Sequence, residues 1–294
     1  MQIQEGYLPF HGYRTYYRIV GTCREGKKPL LLLHGGPGSS HNYFEVLDPL
    51  ADEDGRALIM YDQIGCGESP APGRTDLFNR QVWLEELILL RRALGIGSCH
   101  ILGQSWGGML LLEYVCGMHP ADVSSLILAS TLPSSALWAA EQHRLIRALP
   151  PGMQDAIAEA ERTGDFTGEA YLAANEEFMR RHCGPDRTPD APACLTRPKG
   201  SGTEAYVTGW GPNEYTPLGN LKDFDRTEAL ADIRIPTLIT SGAADMCTPK
   251  IAAFMRDRIP GAEWVLFEHS RHAAFAEENR RYIEVLKAWI NAHD

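Results

Sequence analysis

The segment 103–108 constrains this chain more than any other, because it sets a serine between glycines where two apolar segments meet. It reads Gly-Gln-Ser-Trp-Gly-Gly, with apolar residues at 99–102 before it and at 109–112 after it. A strand that turns directly into a helix strains the residue at the turn and crowds its neighbours, so that glycines are needed there. The same pattern occurs in ordinary turns, but the flanking strand and helix favour Ser105 as a nucleophile.

A nucleophilic serine needs a base to take its proton and an acid to orient that base. The stretch 235–242 predicts a buried strand, and Asp245 follows it in a loop closed by Pro249. An acid on a loop after a late strand fits the chain order serine, acid, histidine. We therefore expect Asp245 to be the acid.

Two histidines compete for the role of the base. A second late strand is predicted over 264–267, and His269 and His272 both follow it. His272 lies further beyond the strand, in the loop that leads into a predicted final helix over 277–292. We therefore expect His272 to be the base and His269 to be a surface residue.

A glycine-rich loop follows the earliest buried strand. The strand is predicted over 29–33, and the loop 34–38 reads His-Gly-Gly-Pro-Gly. Without side chains, its backbone N–H groups can approach a developing oxyanion. Gly36 and Trp106, the residue after the serine, are the predicted donors. With the serine, acid and histidine in this order, the loop predicts an α/β-hydrolase fold, with a mostly parallel central sheet and flanking helices.

The chain is long enough for a hydrolase core with one insertion. Strands and helices alternate over 1–131 and again over 232–294, which predicts the core. The intervening segment 132–231 has no strong strand signal and predicts an inserted helical cap, with helices over 137–148, 153–162 and 169–182. Such a cap excludes water and shapes the substrate pocket.

Composition excludes several kinds of partner and site. A net charge of −10 and a pI near 5.5 argue against nucleic acid and anionic membranes as partners. The short apolar runs and the polar first residues predict a cytoplasmic protein without a membrane span. Seven scattered cysteines indicate reduced thiols, although Cys183 and Cys194 could pair. The ten histidines show no metal-ligand spacing, and we expect neither a metal nor a cofactor.

Three motifs together resemble a known group of enzymes. They are the loop 34–38, the segment 61–69 (Tyr-Asp-Gln-Ile-Gly-Cys-Gly-Glu-Ser) and the serine turn 103–108. The chain resembles the proline iminopeptidases, and most closely the L-amino-acid amidases and L-proline amide hydrolases of that group. The resemblance extends through 14–18, 211–215 and 236–239. It implies a serine hydrolase that cleaves a small amide or a short peptide, with N-terminal proline or another amino-acid amide as substrate, through an acyl-enzyme.

The resemblance also implies how the free amino group of the substrate is held, by one carboxylate from the cap and one beside the catalytic acid. Glu214 matches the first of these. At the second position this chain has Met246, which cannot accept a strong hydrogen bond from an ammonium group. An esterase or tailoring hydrolase on the same scaffold therefore stays open as an alternative. A non-catalytic binding protein is a third, against which the set Ser105, Asp245 and His272 argues.

Overall fold

The most apolar segments of the chain form the centre of one twisted sheet. The computed structural model describes residues 2–186 and 188–294, and within them eight strands pair into a single sheet. The strands are β1 (Ile3–Phe10), β2 (Tyr13–Val20), β3 (Leu30–Leu33), β4 (Leu58–Tyr61), β5 (Cys99–Gln104), β6 (Val123–Ala129), β7 (Thr237–Gly242) and β8 (Glu263–Phe267). Every residue of β3, β4, β5 and β7 is buried, as expected for strands covered on both faces.

The strand order places the functional loops at one edge of the sheet. The order is β1-β2-β4-β3-β5-β6-β7-β8. The pairs β1/β2 and β2/β4 are antiparallel, and every pair from β4 onward is parallel. The carboxyl ends of β3, β5, β7 and β8 therefore face the same way, and the predicted site loops follow these four ends. This topology confirms the predicted α/β class with a mostly parallel sheet.

Helices cover both faces of the sheet and fill the segment between β6 and β7. In chain order they are α1 (Pro49–Asp54), α2 (Arg80–Ala93), α3 (Trp106–Met118), α4 (Ser135–Ile146), α5 (Pro151–Thr163), α6 (Glu169–His182), α7 (Ala193–Thr196), α8 (Thr203–Gly209), α9 (Pro249–Arg258), α10 (Ala274–Glu277) and α11 (Asn279–Ala292), with 3₁₀ turns at His41–Leu47, Thr75–Leu77 and Ala229–Asp232. Helices α4 to α8 lie within 132–231, where the described residues contribute no strand to the sheet. The division into a core and a cap stays a prediction.

The prediction of one final helix over 277–292 is wrong at its start. Two helices, α10 and α11, are separated at Glu278, whose φ of −116° and ψ of 48° are not helical. The Glu278 carboxylate instead accepts hydrogen bonds from the His269 backbone N–H at 3.0 Å and from the Ser270 hydroxyl at 2.7 Å. These bonds fix the turn before the helix. Helices α7 and α8 were not predicted, because both are short and lie among prolines and glycines.

All seven cysteines are free thiols, including Cys183 and Cys194. Over the two described ranges, none of the helices combines the length and the apolar character that crossing a bilayer requires.

The serine turn depends on close contact between helix α3 and the strands beneath it. A Cβ atom built on Gly107 would overlap the backbone carbonyl of Leu33 in β3. One built on Gly103 would overlap the backbone carbonyl of Gly107. The helix backbone therefore rests directly on the neighbouring strand, with no room for even a methyl group.

We expect Gly107→Ala to destabilise the protein by about 3 kcal/mol or more, because backbone must move to relieve the overlap. Gly117→Ala is the matched control in the same helix, since a Cβ atom at Gly117 meets no atom within 4 Å. It should stabilise the protein slightly, by up to about 1 kcal/mol, through helix propensity. Urea unfolding followed by circular dichroism measures both. Equal stability of the two variants would contradict the proposed contact.

Candidate active site

Ser105 occupies a strained turn at the carboxyl end of β5. Its φ of 55° and ψ of −123° lie in a region that residues with side chains seldom adopt. The turn is held by its neighbours: the Ser105 N–H donates to the Ala129 carbonyl at 3.0 Å, and the Thr131 hydroxyl donates to the Ser105 carbonyl at 2.6 Å. Ser105 lines a pocket of about 470 Å³ together with Gly36, Glu214 and His272.

His272 and Asp245 are in direct contact beside this pocket. Nδ1 of His272 lies 2.7 Å from Oδ1 of Asp245. The Asp245 carboxylate also accepts the backbone N–H of Cys247 at 2.7 Å and that of Gly242 at 3.2 Å. Burial opposes the charged imidazolium form, but the neighbouring Asp245 carboxylate outweighs it, with a smaller contribution from Glu214, and the pKa of His272 is raised above its ordinary value. The carboxylate thus fixes the ring and favours its protonated form.

His269 lies away from this arrangement. Its side chain is exposed, and its backbone N–H is bound to Glu278. Of the two candidate histidines, only His272 borders the pocket and contacts Asp245.

The two residues predicted to donate to the oxyanion, Gly36 and Trp106, lie on different elements. Gly36 lines the pocket, in the loop that follows β3. Trp106 is the first residue of helix α3, where a backbone N–H has no acceptor in a preceding turn. Its side chain is buried instead. The centre of the Trp106 indole lies 5.0 Å from the centre of the Trp83 ring, and its indole N–H donates to Oε1 of Gln63 at 2.7 Å. Only the backbone of Trp106 can therefore serve the site.

Tyr43 and Gln104 connect the three loops around the pocket, and the sequence analysis missed both. The Gly35 N–H donates to the Tyr43 hydroxyl at 2.5 Å, and that hydroxyl donates to Oε1 of Gln104 at 2.9 Å. Nε2 of Gln104 donates to the His272 carbonyl at 3.3 Å. Burial raises the pKa of the Tyr43 hydroxyl above its ordinary value, so the hydroxyl keeps its proton. These bonds link the glycine loop, the serine turn and the histidine loop.

A second set of hydrogen bonds holds the glycine loop at its first residue, His34, and the chain that follows the loop. The Gln63 backbone N–H donates to Nε2 of His34 at 3.0 Å, and the Gln63 side chain donates to the His34 carbonyl at 3.0 Å. The Asp62 carboxylate accepts the backbone N–H groups of His41 at 2.7 Å and Glu68 at 2.8 Å. Asp62 and Gln63 belong to the motif 61–69, which the sequence analysis used only for the family resemblance. The structure gives that motif a physical role in holding the loop.

Glu214 borders the pocket and is partly buried. Its carboxylate accepts the Tyr206 hydroxyl at 2.9 Å, and its backbone carbonyl accepts the indole N–H of Trp138 at 2.7 Å. Burial raises the pKa of Glu214 above its usual value, although His272, the Tyr206 hydroxyl and Lys199 partly oppose this shift. A carboxylate so placed favours a cationic ligand, which would restore its ionised form.

Met246 is buried and borders the same pocket. Its carbonyl accepts Nε2 of Gln142, from helix α4, at 2.9 Å. The adjacent Glu141 carboxylate accepts the Thr248 hydroxyl at 2.9 Å and the Lys250 ammonium at 2.8 Å. Helix α4 is therefore bonded directly to the loop that carries Asp245.

The pocket brings together what acyl transfer requires: a hydroxyl on a strained turn, an imidazole bound to a carboxylate, and backbone N–H groups at a helix start and a glycine loop. Across residues 2–186 and 188–294, no three His, Cys, Asp or Glu side chains are grouped as metal ligands would be.

Residues 28–279 match the family described as the alpha/beta hydrolase fold. The chain is 58% identical to a proline iminopeptidase from Clostridium botulinum and 54% identical to one from Clostridioides difficile, in each case over the full length of both chains.

Two solved structures are similar over nearly the whole length of both chains. The crystal structure of VinJ has a TM-score of 0.89 and 32% identity, and it covers 99% of each chain. The proline iminopeptidase from Mycobacterium smegmatis has a TM-score of 0.86 and 32% identity, covering 99% of this chain and 98% of that one. The expected family is therefore confirmed: the chain belongs to the proline iminopeptidases of the alpha/beta hydrolase superfamily.

Proposed function

We propose that this protein is a serine hydrolase that removes an N-terminal proline, or releases a related amino acid from its amide, through an acyl-enzyme. The observation that carries the proposal is the pocket that Ser105 shares with His272, itself bonded to Asp245 at 2.7 Å, and with the carboxylate of Glu214. The names of the full-length relatives support the same substrate class.

In the proposed mechanism, His272 takes the proton of Ser105 as the hydroxyl oxygen attacks the substrate carbonyl. Asp245 holds the imidazole ring and stabilises its positive charge. The backbone N–H groups of Gly36 and Trp106 donate to the oxyanion. His272 then protonates the leaving amine, and a water molecule activated by the same histidine releases the acyl group from Ser105.

Glu214 is proposed to bind the free amino group of the substrate. It contributes the only carboxylate lining the pocket, as far as the described residues go. Where the family pattern has a second carboxylate, the thioether of Met246 can pack against the apolar ring of a prolyl group. Recognition of the charge would then depend on Glu214 alone.

The remaining assignments are also proposals. The segment 132–231 would act as a cap, because Glu214 and the residues of α8 close the pocket from that side. The partner is a small amide or a short peptide, with neither nucleic acid nor a membrane expected. The cytoplasm is the proposed location, as the scattered cysteines suggest.

A substrate panel tests the proposed function. The panel compares prolyl-, alanyl- and leucyl-p-nitroanilide with N-acetylprolyl-p-nitroanilide and p-nitrophenyl acetate. The wild-type protein should prefer the free prolyl substrate. A preference for the ester together with no turnover of any free amine would favour the esterase alternative.

The role of the base gives a second prediction. Like Ser105→Ala, His272→Ala should lower kcat/KM on prolyl-p-nitroanilide by about 10⁴- to 10⁶-fold, since these groups act as a unit. His269→Ala is the control and should change it by less than about tenfold, because that side chain is exposed and away from the pocket. The reverse ranking would transfer the base to His269.

The charge of Glu214 gives a third prediction. Glu214→Gln should lower kcat/KM on prolyl-p-nitroanilide by about 30-fold or more, because a desolvated ammonium that loses its partner costs about 2 kcal/mol or more. The N-acetylated substrate and the ester carry no charge there and should be affected much less. Equal losses on all three would mean that Glu214 supports the pocket wall instead.

The raised pKa of His272 predicts the pH dependence. The base must be neutral, so kcat/KM on p-nitrophenyl acetate should fall with decreasing pH through an apparent pKa above the ordinary histidine value of about 6.5. Glu214 helps to raise that pKa. Glu214→Gln should therefore move this acid limb to lower pH. A limb that stays in place, or moves upward, would contradict the electrostatic coupling between the two residues.

A further inference from the structure

The peptide bond between Gly35 and Gly36 lies directly beside the proposed nucleophile. A Cβ atom built on Gly35 would come within 3.0 Å of Cβ of Ser105. The bond is trans, so its C=O and N–H groups point in opposite directions. As far as residues 2–186 and 188–294 show, no acceptor is hydrogen-bonded to the Gly36 N–H. The direction of the Gly35 carbonyl therefore decides where this N–H, a proposed oxyanion donor, points.

The ring of His34 holds that carbonyl. Nδ1 of His34 lies 2.9 Å from the Gly35 carbonyl oxygen. The Ser39 backbone N–H also donates to this oxygen, at the longer distance of 3.3 Å. Since a carbonyl oxygen only accepts, the contact with His34 is a hydrogen bond only if Nδ1 carries a proton. The orientation of the peptide therefore depends on which nitrogen of the ring is protonated.

The Gln63 backbone determines where the ring proton of His34 lies. Its N–H donates to Nε2 of His34 at 3.0 Å, so Nε2 must be unprotonated. The His34 ring is fully buried, and burial lowers the pKa of His34 to about 4, although the Asp62 carboxylate partly opposes the shift. The ring is therefore neutral at ordinary pH and has a single proton, which the two bonds place on Nδ1.

We propose that His34 is a positioning residue of the active site: as its Nδ1-protonated tautomer, it directs the Gly36 N–H toward the oxyanion. The backbone N–H of Gln63 selects this tautomer. The motif 61–69 thus acts on the reaction through a buried imidazole that does not line the pocket. The inference rests on the proposed function, because the oxyanion role of Gly36 belongs to that function.

Two substitutions separate the two bonds of the ring. An asparagine amide can take the place of Nδ1 and donate to the Gly35 carbonyl, whereas a glutamine amide reaches the place of Nε2 and can accept the Gln63 N–H. We expect His34→Gln to lower kcat on prolyl-p-nitroanilide by about 100-fold, since loss of an oxyanion donor costs that much or more. KM should change little, because the oxyanion forms only after the hydroxyl has attacked. His34→Asn should lower kcat by less than about tenfold, because the peptide keeps its orienting bond.

Stability measurements exclude a merely structural role. Each variant retains one of the two bonds, but asparagine leaves the larger cavity at this buried position. Urea unfolding should therefore show His34→Asn to be the less stable of the two variants, although it is the more active. Equal losses of kcat in the two variants, or the larger loss in His34→Asn, would overturn the inference.

The tautomer can be measured on the wild-type protein, whether or not the variants fold. Nitrogen chemical shifts of isotope-labelled histidine distinguish a protonated ring nitrogen from an unprotonated one. At neutral pH, we expect the His34 ring to carry its proton on Nδ1. A proton on Nε2 would overturn the inference.

Turnover of an ester separates this inference from the proposed function. Hydrolysis of p-nitrophenyl acetate passes through the same kind of oxyanion, so the two variants should rank in the same order on it. Ester turnover with that ranking, but without turnover of any prolyl substrate, would overturn the proposed function alone. No turnover of either kind of substrate by the wild-type protein would overturn both.

Discussion

The contact between the first turn of helix α3 and strand β3 is the constraint on which the site depends. Gly107 rests on the carbonyl of Leu33, and this contact holds the turn in which Ser105 adopts its strained backbone angles. The same contact brings the end of β3, and so the glycine loop after it, beside the serine. One packing distance therefore sets the position of the proposed nucleophile relative to a proposed oxyanion donor, before any side chain is considered.

Hydrogen bonds fix the glycine loop, the serine turn and the histidine loop relative to one another around this contact. Tyr43 and Gln104 join the glycine loop to the serine turn and to the backbone at His272. Their partners are neutral, and the pKa of Tyr43 is raised, so these links do not depend on pH in the range where His272 titrates. Such preorganisation is what electrostatic stabilisation of an oxyanion requires, because the donors need not move when charge develops.

The residues of the site that could be predicted from the sequence are those that follow a recognisable strand in the expected chain order. Ser105, Asp245 and His272 each lie just beyond a strand that is apolar enough to recognise, and parallel strands bring such positions to one edge. Glu214 was reached only through the family resemblance, since a glutamate in a loop carries no local signal.

Tyr43 and Gln104 were not predicted, for a different physical reason. Their partners are distant in sequence, and nothing in the local pattern of either residue reveals the pairing. The break at Glu278 was missed for the same reason, as its carboxylate bonds to a backbone N–H nine residues away.

The bonds between helix α4 and the loop after β7 have a consequence for how such enzymes diversify. Gln142 and Glu141 hold the backbone of Met246 and the side chains of Thr248 and Lys250, immediately beyond Asp245. A segment transplanted from another hydrolase between β6 and β7 would remove those partners and release the loop that carries Asp245. If this segment acts as the proposed cap, the residues that shape the pocket and those that hold the Asp245 loop are inherited together. Recombination at the two ends of the segment would then separate residues that have to change as a set.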